Sequence, residues 1–205
     1  HVGPAVQYRQ AVAHSGSELH SAVLFRKVEI VARGLAEGLP MPVREMKIDD
    51  LPQVLQIQKA LAFQDWNERQ FIAEITADYA LCVVYAEAAQ FNTNEDPRDS
   101  IGASPLQNDS KDILGYAVFH LMGPDSELLS IAANASHQRA GIGTALLNAG
   151  LAHLDFAKGD KMFLEVREGN TKARRFYEKH GFEPYAERKK YYADGENAIL
   201  YQKSK

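Results

Sequence analysis

The chain has 205 residues, of which 45% are hydrophobic and 24% are charged, and its formal net charge is -4. These values predict one globular domain with additions, and they give no basis for a general affinity for nucleic acid. The single cysteine, Cys82, excludes an internal disulfide and a cysteine metal cluster, and no His, Asp and Glu spacing indicates another metal site. No apolar run reaches the ~18 residues of a membrane span, so we expect a cytoplasmic protein without a membrane partner.

The first 40 residues contain no motif from which a function can be inferred. Ser15-Gly16-Ser17-Glu18 resembles a capping box, and an imperfect apolar pattern predicts a helix that ends at Gly38. We therefore treat residues 1–40 as an N-terminal extension of unknown role and residues 41–205 as the domain.

A strand over residues 43–48 and two helices are predicted at the start of the domain. Asp49-Asp50 provides an acidic N-cap, and Pro52 falls in the first helical turn, where it costs no hydrogen bond. The second helix carries Phe71, Ile72 and Ile75. Trp66 lies between the two helices, where a packing anchor and a wall of a substrate cleft are equally good interpretations.

Four apolar segments predict the next strands, with a long polar loop after the first of them. The loop, residues 88–112, is rich in Asn, Asp, Ser and Pro, which is typical of a long hairpin connection. Cys82 lies inside the first strand and is expected to be a buried structural thiol. The strands are predicted over residues 80–87, 113–121, 127–133 and 161–167.

The C-terminal part combines two helices with a closing hairpin. An apolar pattern at helical spacing runs from the glycines at 141 and 143 to about Lys158, and a second helix covers 170–180 before the C-cap residue Gly181. Residues 182–192 and 198–201 would pair across Asp194-Gly195. Strands mixed with helices, without strict βαβ alternation, predict an α+β domain with a mixed sheet.

A loop with two glycines joins the strand that ends at Ala133 to the helix after it. The first turn of a helix has backbone N–H groups without intrahelical partners and a partial positive charge, and glycine lets a ligand oxygen approach the backbone. The segment therefore predicts a pyrophosphate cradle; the alternative is an ordinary turn whose glycines serve packing. It matches neither the dinucleotide G-x-G-x-x-G pattern, because Leu146 replaces the third glycine, nor a P-loop.

Three segments together carry a family resemblance: the loop Gln138-Arg139-Ala140-Gly141-Ile142-Gly143-Thr144, the strand Phe163-Leu164-Glu165-Val166-Arg167, and the N-x-x-A-x-x-F-Y-x-x-x-G-F pattern over residues 170–182. In this order they resemble the GCN5-related N-acetyltransferase (GNAT) family, within it the bacterial ribosomal-protein-alanine N-acetyltransferases. Tyr191-Tyr192 and the segment 194–199 also match. The resemblance is specific over 127–200, weaker over 43–121 and absent earlier, and it departs at Asn134, where the family usually has an acidic residue.

The resemblance implies the GNAT fold, a mixed and mostly antiparallel sheet flanked by helices, and acetyl-CoA as co-substrate. It implies that Glu165 is the general base and Tyr177 the general acid. The acceptor would be a protein or peptide N-terminus, and specifically that of a ribosomal protein that begins with Ala or Ser. The enzyme is expected to be a monomer or a weak dimer and to make no direct contact with nucleic acid. The residues implied to bind the cofactor are Ile131, Ala132, Ala133, Gln138, Arg139, Ala140, Gly141, Ile142, Gly143, Thr144 and Asn170.

The chemistry of this reaction is undemanding. An α-amino group has a pKa near 7.7–8.0 and a thiol one near 8.5, so one carboxylate base and one phenol donor suffice. No covalent intermediate is needed, and exposed backbone at 131–133 is the candidate donor to the oxyanion.

Several alternatives remain open at this stage. Glu165 could be a surface carboxylate paired with Arg167 or a lysine, and Tyr177 could belong to the core. His137 and His180 are expected at the surface. The basic residues at 172, 174, 175 and 188–190 are expected to be solvated, with one or two at the 3′-phosphate of CoA. Acetylation of a small amine or a lysine side chain, and non-catalytic binding of acetyl-CoA, are the competing functions.

Overall fold

The computed structural model describes residues 43–61, 66–87 and 112–205. The predicted N-terminal extension, its helix, and residues 88–111 of the predicted loop lie outside these ranges. The strands are β1 (Val43–Glu45), β2 (Ala80–Ala86), β3 (Ile113–His120), β4 (Asp125–Ala133), β5 (Lys161–Arg167), β6 (Glu183–Arg188) and β7 (Ala198–Lys203). The helices are α1 (Leu51–Leu61), α2 (Glu68–Ile75), α3 (Ile142–Leu151) and α4 (Thr171–Lys179).

The described strands form one seven-stranded sheet with the spatial order β1-β2-β3-β4-β5-β7-β6. Neighbouring strands are antiparallel except for β4 and β5, which are parallel because the chain returns through α3 between them. The predicted α+β fold with a mixed, mostly antiparallel sheet is therefore confirmed.

A separate hydrophobic core lies on each face of the sheet. On one face α1 and α2 bury Leu51, Val54 and Phe71 against β2 and β3. Trp66 is half-buried there and its ring meets Phe71 edge to face, with the ring centres 5.2 Å apart, so its contacts are those of a packing anchor. On the other face α3 and α4 cover β3, β5 and β7, and Leu146 is fully buried. Full burial of one such side chain contributes roughly 1.5–3 kcal/mol.

The entry into α1 differs from the prediction. The first strand ends at Glu45 rather than at 48, and residues Ile48–Asp50 form a short 3-10 turn whose N-cap is Lys47, not Asp49. The physical reason is the Asp50 carboxylate, which accepts a hydrogen bond from the Lys47 backbone N–H at 2.7 Å and binds Arg44 at 2.7 Å. This contact bends the chain before the strand can continue.

Two predicted ends in the C-terminal part were also wrong. α3 stops at Leu151 instead of about Lys158, and Phe156–Lys158 is a separate 3-10 turn. Leu154 packs against the core from outside the helix, which mimics a continued helical pattern in the sequence. β6 ends at Arg188 rather than at 192, so residues 189–197 form a longer connection to β7. Within the described ranges no helix combines the length and the apolar character that crossing a membrane requires.

Candidate active site

The glycine loop enters α3 with an open helix N-terminus. Gly141 is the N-cap, it has φ of 83°, and no side chain caps the helix there. The first helical hydrogen bond runs from the Ala145 N–H to the Gly141 carbonyl at 3.0 Å, so the amides of residues 142–144 precede any intrahelical donor. A Cβ atom on Gly141 would meet no protein atom within 4 Å. The loop therefore presents backbone N–H groups, with the positive end of the helix dipole behind them.

The second glycine of the loop has a different environment. A Cβ atom on Gly143 would lie 3.4 Å from the ring of Phe176 in α4. Gly143 thus lies where α3 and α4 pack together, whereas Gly141 borders the open space. The sequence had assigned both glycines the same role, because the contact with α4 cannot be read from the spacing.

The strands β4 and β5 are paired over only part of their length. Their parallel register runs from Asp125 opposite Lys161 to Leu128 opposite Leu164. Beyond that point β4 continues to Ala133 and β5 to Arg167 without pairing, so a gap opens between two central strands. The β4 register also shifts against β3 at this point, which is typical of a β-bulge.

The backbone of β4 faces this gap with alternate residues. The Asn134 N–H donates to the Leu114 carbonyl of the β3 side at 2.8 Å. Because N–H directions alternate along a strand, the Ala132 amide also points to β3, whereas those of Ile131 and Ala133 point into the gap. Two of the three residues predicted at this strand edge therefore present their amides where a ligand could use them.

Glu165 lies on β5 with its side chain on the α1/α2 face of the sheet. Its carboxylate forms an ion pair with Arg188 of β6. The sequence left open a pairing with Arg167, but Arg167 binds Asp194 at 2.8 Å and Glu196 at 2.7 Å instead. Arg188 was expected to be solvated or to reach the 3′-phosphate of CoA, and its position at Glu165 corrects that expectation.

A cavity of about 210 Å³ opens beside Glu165. Glu127 of β4 also lines it, and the pKa of Glu127 is raised by burial and then by the nearby charge of Glu165. Sequence analysis missed Glu127 because its position beside β5 depends on the strand register. Its only signal was the alternation of polar and apolar residues at the start of β4. The other lining residues include Met122, Asp125, Phe163, Tyr185, Arg188 and Leu200.

Tyr177 is on the opposite side of the sheet from Glu165. It is only 7% exposed, and its ring packs against Phe176, Phe182 and Tyr201 in the α3/α4 core. Burial raises the pKa of Tyr177 well above its ordinary value, so its hydroxyl keeps its proton at neutral pH. The structure thus places the two predicted catalytic groups on the two faces of β5 rather than side by side.

The other predicted cofactor residues have identifiable partners or surroundings. Asn170 caps α4, since its side chain accepts a hydrogen bond from the Ala173 N–H at 3.1 Å. The Gln138 side chain accepts from Lys172. The Ala140 N–H donates to the carbonyl of His137, just before the loop, at 3.4 Å. Ile142 is buried in the core, and Arg139 is exposed.

Thr144 is joined to α4 through His180. The His180 Nδ1 atom lies 2.8 Å from the Phe176 carbonyl, which makes it the donor, so Nε2 accepts from the Thr144 hydroxyl at 3.1 Å. His180 is half-buried between the two helices rather than at the surface, which corrects the prediction. His137 is exposed, as expected.

In the parts of the chain that the structure describes, no three or more His, Cys, Asp or Glu side chains are grouped so that they could hold a metal ion.

Residues 51–182 match the sequence pattern described as the acetyltransferase (GNAT) family. The chain belongs to this family. An N-alpha-acetyltransferase of Sulfurisphaera tokodaii is 30% identical over 173 residues, which cover 80% of this chain and 93% of that protein. The prediction of an N-acetyltransferase of the GNAT type is therefore confirmed.

Solved structures of this family share the fold. The ribosomal-protein-S18-alanine N-acetyltransferase from Escherichia coli superposes with a TM-score of 0.61 at 24% identity, covering 78% of this chain and 91% of that one. Arabidopsis thaliana Naa50, solved with the bisubstrate analogue CoA-Ac-MVNAL, gives a TM-score of 0.57 at 19% identity, covering 80% and 97%. At these identities the likeness concerns the fold alone.

Proposed function

We propose that this GNAT enzyme transfers the acetyl group of acetyl-CoA to the α-amino group of a protein N-terminus. The observation that carries the proposal is the gap between β4 and β5, which leads from the open helix N-terminus at Gly141 past the amides of Ile131 and Ala133. One end of this path suits a pyrophosphate and its middle suits an extended amide-bearing chain. The other end of the path, where β4 and β5 begin to pair, lies beside the Glu165 cavity.

The binding of acetyl-CoA follows from these donors. The pyrophosphate would accept hydrogen bonds from the amides of residues 142–144 in the Gln138–Thr144 segment, and the space above Gly141 leaves room for it. The pantetheine arm would bind β4 as an additional strand does, through the Ile131 and Ala133 amides. Ala132 would contact the pantetheine arm through its surface, because its amide points to β3. Asn170 would act indirectly, by capping the N-terminus of α4.

The acetyl transfer needs one proton removed from the amine and one proton supplied to the leaving thiolate. The neutral α-amine attacks the thioester carbonyl, and Glu165 accepts the amine proton directly or through a water. The tetrahedral intermediate collapses, the C–S bond breaks, and CoA leaves as a thiolate that receives a proton from Tyr177. Because the gap is open between the two faces of the sheet, a thioester lying in it would reach Glu165 from one side and Tyr177 from the other.

A protein N-terminus is the acceptor that best fits the relatives. The Sulfurisphaera tokodaii relative is named as an N-alpha-acetyltransferase, and the Escherichia coli neighbour acts on ribosomal protein S18. We propose a ribosomal protein with N-terminal Ala or Ser as the substrate, which would place the reaction in the cytoplasm. A cavity of about 210 Å³ beside Glu165 is compatible with a small first residue.

The deciding experiment measures thiol release from acetyl-CoA with a panel of acceptors. The panel contains peptides that differ in their first residue, the same peptides with a blocked N-terminus and one internal lysine, and a free polyamine. We expect turnover with free N-termini, best with Ala or Ser, and a mass increase located on the first residue. Faster acetylation of the polyamine or of the blocked peptides would contradict the proposal, as would binding of acetyl-CoA without turnover of any amine.

A further inference from the structure

The connection between β6 and β7, residues 189–197, carries two adjacent tyrosines and is called here the tyrosine turn. Its exposed Tyr191 lies next to Arg188, which forms the ion pair with the proposed base Glu165. The guanidinium of Arg188 is 5.2 Å from the centre of the Tyr191 ring. The tyrosine turn therefore forms one edge of the site where the acceptor would bind.

Arg167, the last residue of β5, binds the tyrosine turn. Nη1 of Arg167 donates to Asp194 Oδ2 at 2.8 Å and to Glu196 Oε2 at 2.7 Å. The same guanidinium lies over the ring of Tyr192, with its central carbon 3.9 Å from the ring centre. Arg167 thus contacts three residues of the turn at once.

A second contact joins the residues that follow β5 to the tyrosine turn. The other oxygen of Glu196 accepts a hydrogen bond from the Gly169 N–H at 2.7 Å. A Cβ atom on Gly169 would lie 2.9 Å from this oxygen, so a side chain there would displace the carboxylate. The glycine leaves room for Glu196 to bind the backbone and Arg167 together.

A single exposed ion pair contributes little to stability, but a charged group that is shared among several partners in a network contributes more. Here one guanidinium serves two carboxylates and stacks on an aromatic ring, and one of those carboxylates also binds an amide. Such a network is too small to determine the global fold. It is suited to keeping a nine-residue connection closed, because local opening requires far less free energy than unfolding.

We propose that Arg167 is a positioning residue that holds the tyrosine turn against the acceptor side of the site. The inference rests on the proposed function in so far as the site takes an amine acceptor. Arg167 itself would contact neither substrate. It acts through Tyr192, whose ring it covers, and through Tyr191, whose ring contacts that of Tyr192 and lies beside the Arg188–Glu165 pair, where it sets the fit of the acceptor.

A first test does not depend on activity. Lys189 and Lys190 are trypsin sites within the tyrosine turn, and native cleavage there reports local opening. Arg44→Met is the matched control, because Arg44 has the same side-chain exposure, 33%, and a 2.7 Å ion pair with Asp50 far from the turn. We expect Arg167→Met to be cleaved after Lys189 or Lys190 about tenfold faster than the wild type, and Arg44→Met not to be. Equal rates in the two variants would overturn the proposal.

A second test separates acceptor binding from a general loss of structure. We expect Arg167→Met to raise the KM for the peptide about tenfold, with the KM for acetyl-CoA unchanged and kcat within about threefold of the wild type. Arg167→Lys, which keeps the charge but not the planar fork, should recover part of the peptide KM. An unchanged peptide KM, or a parallel rise in both KM values, would contradict a positioning role.

Gly169→Ala provides an independent perturbation if Arg167→Met folds poorly. It leaves Arg167 intact but displaces Glu196, and we expect the same faster cleavage and the same rise in peptide KM, each by a smaller factor. Wild-type cleavage and wild-type KM in this variant would count against the proposal. Absence of turnover by the wild-type enzyme with every peptide would refute the proposed function instead, and the cleavage rates would still decide whether Arg167 holds the turn.

Discussion

Arg188 reaches across an intervening strand to pair with Glu165. The two residues belong to β6 and β5, and β7 lies between them. The pair sits at the cavity that Glu127 also lines. His120 and Arg188 lower the pKa of Glu127 in opposition to burial and to the charge of Glu165. The charged groups at this cavity thus come from three strands, β4, β5 and β6.

Replacing Arg188 should change the pH dependence of the reaction. In Arg188→Met the two carboxylates lose their counter-ion, and Glu127 loses a cation that lowers its pKa, so protonation of Glu127 beside the proposed base extends to higher pH. We expect the acid limb of the kcat/KM profile to move upward by about 1 pH unit, the lower end of the shifts that a neighbouring opposite charge produces. Arg188→Lys retains the charge and should keep the limb near its wild-type position. Superimposable profiles for the methionine variant and the wild type would show that the ion pair does not govern the base.

The hydroxyl of Tyr177 should matter for turnover and little for stability. Tyr177→Phe keeps the ring contacts in the α3/α4 core, and we expect kcat to fall about 100-fold, in the range of general acid catalysis. Tyr201→Phe is the matched control. The Tyr201 hydroxyl accepts from Arg174 at 3.1 Å and donates to Glu178 at 2.8 Å. This variant should lose about 1–2 kcal/mol of stability and keep its kcat. The role assigned to Tyr177 fails if kcat is unchanged in its phenylalanine variant.

Gly141 should be required both by the backbone and by the co-substrate. With φ of 83°, alanine at this position costs about 1–2 kcal/mol, and its Cβ would enter the space proposed for the pyrophosphate. Gly159 is a matched control, with φ of 95° and equally open surroundings in the turn after α3. We expect Gly141→Ala and Gly159→Ala to lower the unfolding free energy alike, and only the first to raise the KM for acetyl-CoA, about tenfold. Equal KM values would place the pyrophosphate elsewhere.

Removal of the Glu127 charge should stabilise the protein in a pH-dependent way. Burial raises the pKa of Glu127 above its ordinary value of 4.5, so the folded state favours the neutral carboxyl. The stability that this neutral form contributes is present at low pH and is lost as the pH rises through the raised pKa. Glu127→Gln stays neutral throughout, so its Tm should match that of the wild type near pH 4 and exceed it by roughly 2 °C at pH 8. A constant Tm difference across this range would show that Glu127 does not carry the effect.

Much of the local structure around the candidate site followed from short segments of the sequence. The Gln138–Thr144 segment predicted an open helix N-terminus, and Gly141 at that N-cap has a positive φ, which glycine adopts without steric cost. Asn170 and Gly181 marked the two ends of α4, and the strand at Lys161–Arg167 has the predicted bounds. These features depend on capping groups and on periodicity within a few residues, so the local sequence is sufficient to specify them.

Other features depended on contacts that no short segment contains. The apolar Leu154 extended the helical pattern of α3, although it packs on the core after the helix has ended. Gly143 resembled Gly141 in the sequence, but it faces Phe176 of the neighbouring helix. Periodicity reports that a residue is apolar or small. It does not report which element the residue meets.

The amino-acid sequence alone determined the family, the order of the elements and the glycine loop, because these reside in local patterns of residue type. Only the tertiary structure decided that Glu165 pairs with Arg188, 23 residues away, that Glu127 joins them, and that Tyr177 lies across the sheet. The physical reason is strand register. Which charges become neighbours is set by how β4, β5, β7 and β6 align, and the free energy of that alignment is distributed over the whole sheet.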